Sequence, residues 1–343
     1  MPALDPIAIR QGDRRMLSKA LTAVENNSIE SRKLQTALFP HTGQSHLIGV
    51  TGAPGTGKST LVNQLAKNLR QPEGEGIPPK IAIIAVDPTS PFTGGALLGD
   101  RIRMQDLSGD QGIFIRSMAS RGALGGLAHS TAAFTTMLDG AGFDLILIET
   151  VGAGQAEVDI AQLAHTVVVV EAPGLGDDIQ AIKAGILEIA DILVVNKADR
   201  PGAENTARAL GAMLEMASGR GSLPPAGKHR MTLGSHTIEA PARDKPIWDP
   251  PVLQVTATEG KGVSQLVKAI HDHRAYLKES GIWKTKEAYR LRRDLEAIIK
   301  DKLVESWRAS MQADQFERVL TGVLHREYPP IEAAERLLSN KTK

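Results

Sequence analysis

Gly52-Ala53-Pro54-Gly55-Thr56-Gly57-Lys58-Ser59 fills every fixed position of the pattern G-x-x-x-x-G-K-[ST], and Thr60 follows it. An apolar run at 47–50 precedes the octet and a helix-forming run at 61–69 follows it. In a strand–loop–helix setting, glycines let successive backbone N–H groups turn inward around phosphate oxygens. The start of the helix adds the positive end of its dipole. Lys58 is placed to reach the β- and γ-phosphates, and Ser59 to offer its hydroxyl to Mg²⁺.

Working outward, short apolar runs recur at 46–51, 81–87, 113–117, 144–150, 166–172, 192–196 and 252–256, separated by helical stretches. The runs are nearly continuous rather than alternating, which suits parallel strands covered on both faces. The expected fold class is therefore α/β: a P-loop NTPase with a doubly wound, mostly parallel sheet flanked by helices. Residues 1–42 read as an N-terminal helical extension, a pair of helices ending at Pro40, with Leu17, Leu21, Val24 and Ile29 as contacts. The P-loop domain spans 43–275 and holds a Pro- and Gly-rich loop insertion at about 219–250. Residues 276–343 form a C-terminal helical arm, with segments near 284–308 and 312–325 and a short helix after Pro329-Pro330. Such an arm is either a lid on the sheet or an oligomerisation arm, and dimerisation is the expected role because the P-loop domain already has its own helices.

Asn196-Lys197-Ala198-Asp199 closes the run at 192–196. In N-K-x-D the Asp carboxylate accepts from guanine N1–H and the exocyclic amine, a pattern adenine lacks, and a site built around such a bond rejects the base without it. Lys197 is expected along the base plane, and Asn196 is expected to tie its loop to the phosphate loop. Thr256-Ala257, ending the last run, is expected to give a backbone N–H to guanine O6. The nucleotides expected are GTP and GDP, with Mg²⁺. Glu149-Thr150-Val151-Gly152 stands where D-x-x-G holds Mg²⁺ through its acid and meets the γ-phosphate through the Gly152 N–H. Asp87 and Asp100 are further candidates for the metal. Fast-switching GTPases place Gln directly after that glycine, whereas this chain has Ala153. Slow intrinsic hydrolysis, accelerated by a partner, is the expectation.

Bulk composition closes off other chemistries. There is no cysteine among the 343 residues, which excludes disulfides, thiolate metal sites and thiol catalysis. Net charge is +1, with 40 basic against 39 acidic residues, so neither a nucleic-acid coat nor a polybasic membrane anchor is expected. No run approaches the roughly 20 apolar residues of a membrane span, and residues 1–15 carry no signal-peptide core. A cytoplasmic location is expected. His271 and His273 lie two apart and point to different helix faces, unlike a metal-storage cluster. Arg101, Arg103, Arg116 and Arg121 read as salt-bridge residues rather than arginine fingers. Trp283 and Trp307 read as packing anchors of the C-terminal helices.

Together these segments resemble the MeaB/ArgK family, G-protein chaperones of adenosylcobalamin-dependent methylmalonyl-CoA mutase. The resemblance rests on residues 49–60, 86–90 (Val-Asp-Pro-Thr-Ser), 99–104 (Gly-Asp-Arg-Ile-Arg-Met), 149–155 (Glu-Thr-Val-Gly-Ala-Gly-Gln), 176–183 (Gly-Asp-Asp-Ile-Gln-Ala-Ile-Lys) and 196–199, and runs from about residue 14 to 335. It implies a GTPase that docks on a B12-dependent acyl-CoA mutase, gates cofactor loading, protects the mutase and forms a homodimer through its terminal helices. By position it implies Lys58 and Ser59 for phosphate and Mg²⁺, and Asp87, Asp100 and Glu149 around the metal. It further implies Asn196, Lys197 and Asp199 on guanine, and Gln180 and Lys183 in a partner-responsive switch loop linked to activated hydrolysis. Ala156 departs from the family's usual Ser, and residues 219–245 look longer than expected. The family was once described as an amino-acid transport ATPase or kinase, which the guanine motif speaks against. Two other readings stand beside it: a helper of an isobutyryl-, ethylmalonyl- or hydroxyisobutyryl-CoA mutase, and a nucleotide-dependent transport or signalling regulator without a mutase client.

Overall fold

The computed structural model describes residues 4–71, 76–88, 104–107, 109–120, 126–150, 155–174, 188–218, 232–233, 236–237, 247–311 and 314–339. Seven strands form one sheet: β1 (His46–Thr51), β2 (Ile81–Pro88), β3 (Ile113–Ser120), β4 (Leu145–Thr150), β5 (Thr166–Glu171), β6 (Ile192–Asn196) and β7 (Val252–Val255). Their order is β3-β2-β4-β1-β5-β6-β7, and every neighbouring pair is parallel. The run at 113–117 continues to Ser120, paired with β2 throughout. Two-residue strands Thr232–Leu233 and His236–Thr237 pair antiparallel within the Pro- and Gly-rich insertion.

Helices cover both faces, as near-continuous apolar strands require. On one face α4 (Lys58–Leu69) and α8 (Val263–Ser280) pack against Ile48, Val50, Leu147, Val168 and Val194. On the other face lie α1 (Pro6–Arg10), α2 (Arg14–Glu25), α3 (Ile29–Leu38), α5 (Gly126–Gly140), α6 (Gln155–Leu163) and α7 (Ala203–Ser218). The N-terminal extension thus has three helices, one more than the spacing suggested, because Pro6-Ile-Ala-Ile-Arg10 starts its own turn on an Asp5 cap. Asp13 and Ser28 cap α2 and α3 through the N–H groups of Met16 and Ser31. Leu17, Leu21 and Val24 are buried as expected, whereas Ile29 is 69% exposed. Arg116 of β3 bonds Glu25 of α2 at 2.6 Å, so this arginine tethers the extension.

The opposite end of the sheet, where the strands begin, carries a buried polar network. Leu47 N–H donates to His165 Nδ1 at 3.0 Å, so the Nε2–H of a neutral ring faces Glu287 Oε1 at 2.6 Å. Burial holds His165 below the usual histidine pKa, against the opposing pull of Glu287. For Glu287, burial pushes upward, but the His165 bond and the Arg290 charge outweigh it and the carboxyl stays below its ordinary value. His46 is also held well below its usual pKa, first by burial and then by neighbouring positive groups. His46 and His273 meet the Thr166 hydroxyl at 2.7 and 2.9 Å, and Trp283 stacks on His165 at 3.9 Å. Trp283 and Glu287 belong to the first turns of α9 (Ile282–Ala309), which the network fastens to β1 and β5.

The chain divides into two compact units, Met1–Arg290 and Leu291–Lys343. The second contains the rest of α9, α10 (Gln315–Leu324) and α11 (Pro330–Ser339). Within it Trp307 Nε1–H donates to Leu337 O at 3.3 Å, and Arg336 lies 3.9 Å from the Tyr328 ring centre. Both tryptophans are therefore packing anchors.

Candidate active site

A chain entering β1, the strand between β4 and β5, leaves its carboxyl end as the loop 52–57 and turns into α4. That end is where a doubly wound sheet opens a crevice for ligands. Gly57 has φ +91°, and a Cβ there would lie 2.5 Å from Asn196 Nδ2. Gly52 has φ +140°, and its Cβ would sit 2.0 Å from the Val170 carbonyl oxygen. Both glycines are thus demanded by backbone conformation and by close approach. Thr56 Oγ1–H donates to Ala53 O at 2.9 Å, which closes the loop on itself, while Pro54 and Gly55 are exposed at its crest.

Lys58 is 6% exposed, and its ammonium donates to Gly52 O at 2.8 Å and Ala53 O at 2.9 Å. The charge therefore sits inside the curl of the loop, where an anion would be bound. One residue on, Ser59 Oγ–H donates to Glu149 Oε1 at 2.5 Å. Glu149 is buried at the carboxyl end of β4, in register with Val50 and Ala85. A hydroxyl in the first turn of α4 and a carboxylate at the end of β4 are hard oxygen donors chemically suited to Mg²⁺. Among the described residues no group of three or more His, Cys, Asp or Glu is placed to hold a metal ion. Asp87 lies in β2 one residue past the Val86–Thr150 register pair, at the same sheet edge, and its side chain is outside the described residues. So are Asp100, Gly152, Ala153, Gln180 and Lys183.

Two side chains, Asn196 and Lys197, join the loop at 196–199 to the phosphate loop. Asn196 donates from Nδ2 to Thr56 O at 2.8 Å and accepts at Oδ1 from Ala257 N–H at 3.1 Å. Asn196 is 2% exposed, so these bonds are shielded from water. Lys197 adopts φ +58° and reaches across to Gly55 O at 2.6 Å. Thr60 and Asp199 are exposed, leaving the Asp199 carboxylate accessible to a base. Nearby Lys261 is held above the ordinary lysine pKa, first by its bond to Glu259 and in part by Asp199.

The backbone expected to read guanine O6 has internal partners in this structure. Thr256 N–H donates to Lys261 O at 3.0 Å, and Ala257 N–H is taken by Asn196. Reading O6 through Ala257 would mean sharing or exchanging that bond, because Asn196 spans both loops. Sequence reading also missed Asp106, which accepts from Asn63 Nδ2 at 2.8 Å and pairs with Lys67. Those two contacts, Lys67 first, hold its carboxyl below the usual range. Ser59, Asn63 and Lys67 recur every four residues on α4, a polar stripe that the spacing alone displays.

Comparison with known proteins agrees with this geometry. The chain matches the family described as "Methylmalonyl Co-A mutase-associated GTPase MeaB" over residues 17–312. A Pyrococcus horikoshii protein carrying a GTPase name is 44% identical over 330 residues, covering 96% of this chain and 95% of its own. GTPase ArgK of Escherichia coli is 36% identical, covering 80% of this chain and 76% of its own. The mouse protein named "Methylmalonic aciduria type A homolog, mitochondrial" is 28% identical, covering 96% and 76%. A crystal structure titled LAO/AO transport system kinase superposes with a TM-score of 0.66 at 26% identity, covering 98% and 96%. A phosphate loop, a guanine loop bolted to it through Asn196, and a family match over most of the chain lead to one conclusion: this protein is a P-loop GTPase belonging to the MeaB family.

Proposed function

We propose that this GTPase is a chaperone of an adenosylcobalamin-dependent acyl-CoA mutase, gating cofactor loading and protecting the loaded enzyme. The family description and the mouse relative's name support methylmalonyl-CoA mutase as the client. The observation that carries the nucleotide half of this reading is the Asn196 bridge. It makes occupancy of the guanine pocket mechanically continuous with the loop that grips phosphate.

In this reading the loop Gly52–Ser59 cradles the β- and γ-phosphates of GTP, and Lys58 exchanges its carbonyl partners for phosphate oxygens. Asp199 accepts from guanine N1–H and the exocyclic amine. Ser59 and Glu149, with Asp87 and Asp100, would hold Mg²⁺, which neutralises charge developing on the transferred phosphoryl group. With Ala153 in place of a water-orienting glutamine, hydrolysis is slow until the client docks, and Gln180 and Lys183 respond to that docking. Gly152 meets the γ-phosphate. The protein works in the cytoplasm as a homodimer joined through the arm after Arg290, where Leu295, Leu303 and Val304 are 58%, 62% and 46% exposed. Among the described residues no helix is long and apolar enough to cross a membrane.

Capture on immobilised methylmalonyl-CoA mutase tests the client. Retention that differs at least about tenfold between a non-hydrolysable GTP analogue and GDP is expected, since a gate needs that differential affinity. Equal retention in both states would refute the gating role. Capture only by an isobutyryl-, ethylmalonyl- or hydroxyisobutyryl-CoA mutase would reassign the client, and no capture by any would favour a regulator without a mutase.

A further inference from the structure

At the end of the sheet away from the phosphate loop, a cavity of about 440 Å³ opens between the end of α4, the start of β4 and the last turns of α8. That volume lies within the range of small-molecule sites. Leu69, Pro79 and Leu145 give it an apolar side, and Arg274 and Lys278 of α8 line the other. These two cations stand at i and i+4, where like charges repel.

Neither cation has a carboxylate partner among the described residues, and Arg274 Nε is buried without a hydrogen-bond partner. Both lie over the Trp283 ring, Arg274 at 6.0 Å and Lys278 at 5.4 Å from its centre, which holds them in place without neutralising them. Their positive field is felt on both sides. Arg274 first, then burial, holds Lys278 below the ordinary lysine pKa, and Arg274 also contributes to the depression of buried His46. Asp144, the acid on the wall, accepts from Lys80 N–H at 2.7 Å, and Gln71 adds an amide. A planar guanidinium beside an ammonium, with no carboxylate paired to either and an aromatic face behind both, offers the donors and charge that suit a phosphate.

We propose that this cavity binds a phosphate group carried by a small organic ester, with the ester's apolar part against Leu69, Pro79 and Leu145. The site is separate from the guanine nucleotide site and independent of the client assignment.

Calorimetry on the full chain tests it, with Mg²⁺ and a non-hydrolysable GTP analogue saturating the nucleotide site. Phenyl phosphate and inorganic phosphate are titrated separately at ionic strength fixed with potassium chloride. One phenyl phosphate per chain is expected, bound at least tenfold tighter than inorganic phosphate. Lys278→Gln, at an exposed position, and Arg274→Gln should each weaken it at least tenfold while affinity for the GTP analogue is unchanged. Equal affinity for the two probes would overturn the ester assignment and leave free phosphate as the ligand. Heat no larger than that of potassium chloride, or binding unchanged in Lys278→Gln, would overturn the site and leave both cations as packing partners of Trp283.

Discussion

Asp199 is the residue on which the proposed choice of guanine rests. Its carboxylate is exposed at the mouth of the guanine loop, while the rest of that loop is held rigidly by Asn196. Removing a charged acceptor that takes two guanine N–H bonds costs several kcal/mol, so Asp199→Ala should weaken GTP at least about 100-fold. Asp199→Asn should shift preference toward xanthine nucleotides, because an amide can accept from N1–H and donate to a 2-carbonyl. Competition between GTP and XTP on both variants checks this. Asn196→Ala removes a buried donor and acceptor at once and should lower folding stability by about 2–3 kcal/mol. Nucleotide affinity should fall with it, as read by denaturation and by a fluorescent GDP. The octet and N-K-x-D were legible because their chemistry is local, a few residues at fixed spacing. The engagement of Ala257 N–H by Asn196 was not, since it depends on β6 and β7 lying side by side.

At the scale of elements, the anchoring of α9 depends on neutral histidines. His46 and His165 have folded pKa values below that of an unfolded histidine, about 6.5. Above that pH both states are neutral and the anchoring is complete. As pH falls below it, the unfolded chain takes up protons that the folded state refuses. Stability should then drop by up to about 1.4 kcal/mol per pH unit for each histidine. Glu287, depressed in the fold, adds its own loss only below its unfolded value near 4.5. Thermal melts from pH 7.5 to 5.5 should show the decline, and His165→Gln should flatten it. A melting temperature constant across that range would contradict neutral histidines. The strands themselves were legible from continuous apolar runs, whereas this network was not. His46, His165, Asp191, His273 and Glu287 are scattered over some two-thirds of the chain and converge only when strand starts, α8 and α9 assemble.

Arg116 separates two other element-level readings. Its bond to Glu25 ties α2 to β3, with both side chains mostly buried. Arg116→Ala leaves the mostly buried Glu25 without this partner and should therefore cost about 1–3 kcal/mol of stability, with GTP turnover staying within about twofold. A turnover loss of 100-fold or more with unchanged stability would make it a catalytic arginine instead.

Across the whole molecule, the division of the chain into two compact units falls inside α9, after Arg290. Helical spacing suggests an arm from residue 276, yet such spacing does not mark where one compact unit gives way to the next inside a long helix. The first turns of α9 belong to the nucleotide unit because Trp283 and Glu287 anchor there. A chain ending after Arg290 should keep guanine nucleotide affinity within a few-fold and lose the dimer, as light scattering would show. A truncated chain that remains dimeric would move the interface off the arm.

Steady-state GTP turnover, alone and with an adenosylcobalamin-dependent methylmalonyl-CoA mutase, tests most directly whether this GTPase waits for such a client. Slow turnover alone, rising at least about tenfold with the mutase and no further with an unrelated protein, is the result predicted. Turnover of tens per second by the isolated protein, or a rate the mutase leaves unchanged, would contradict it.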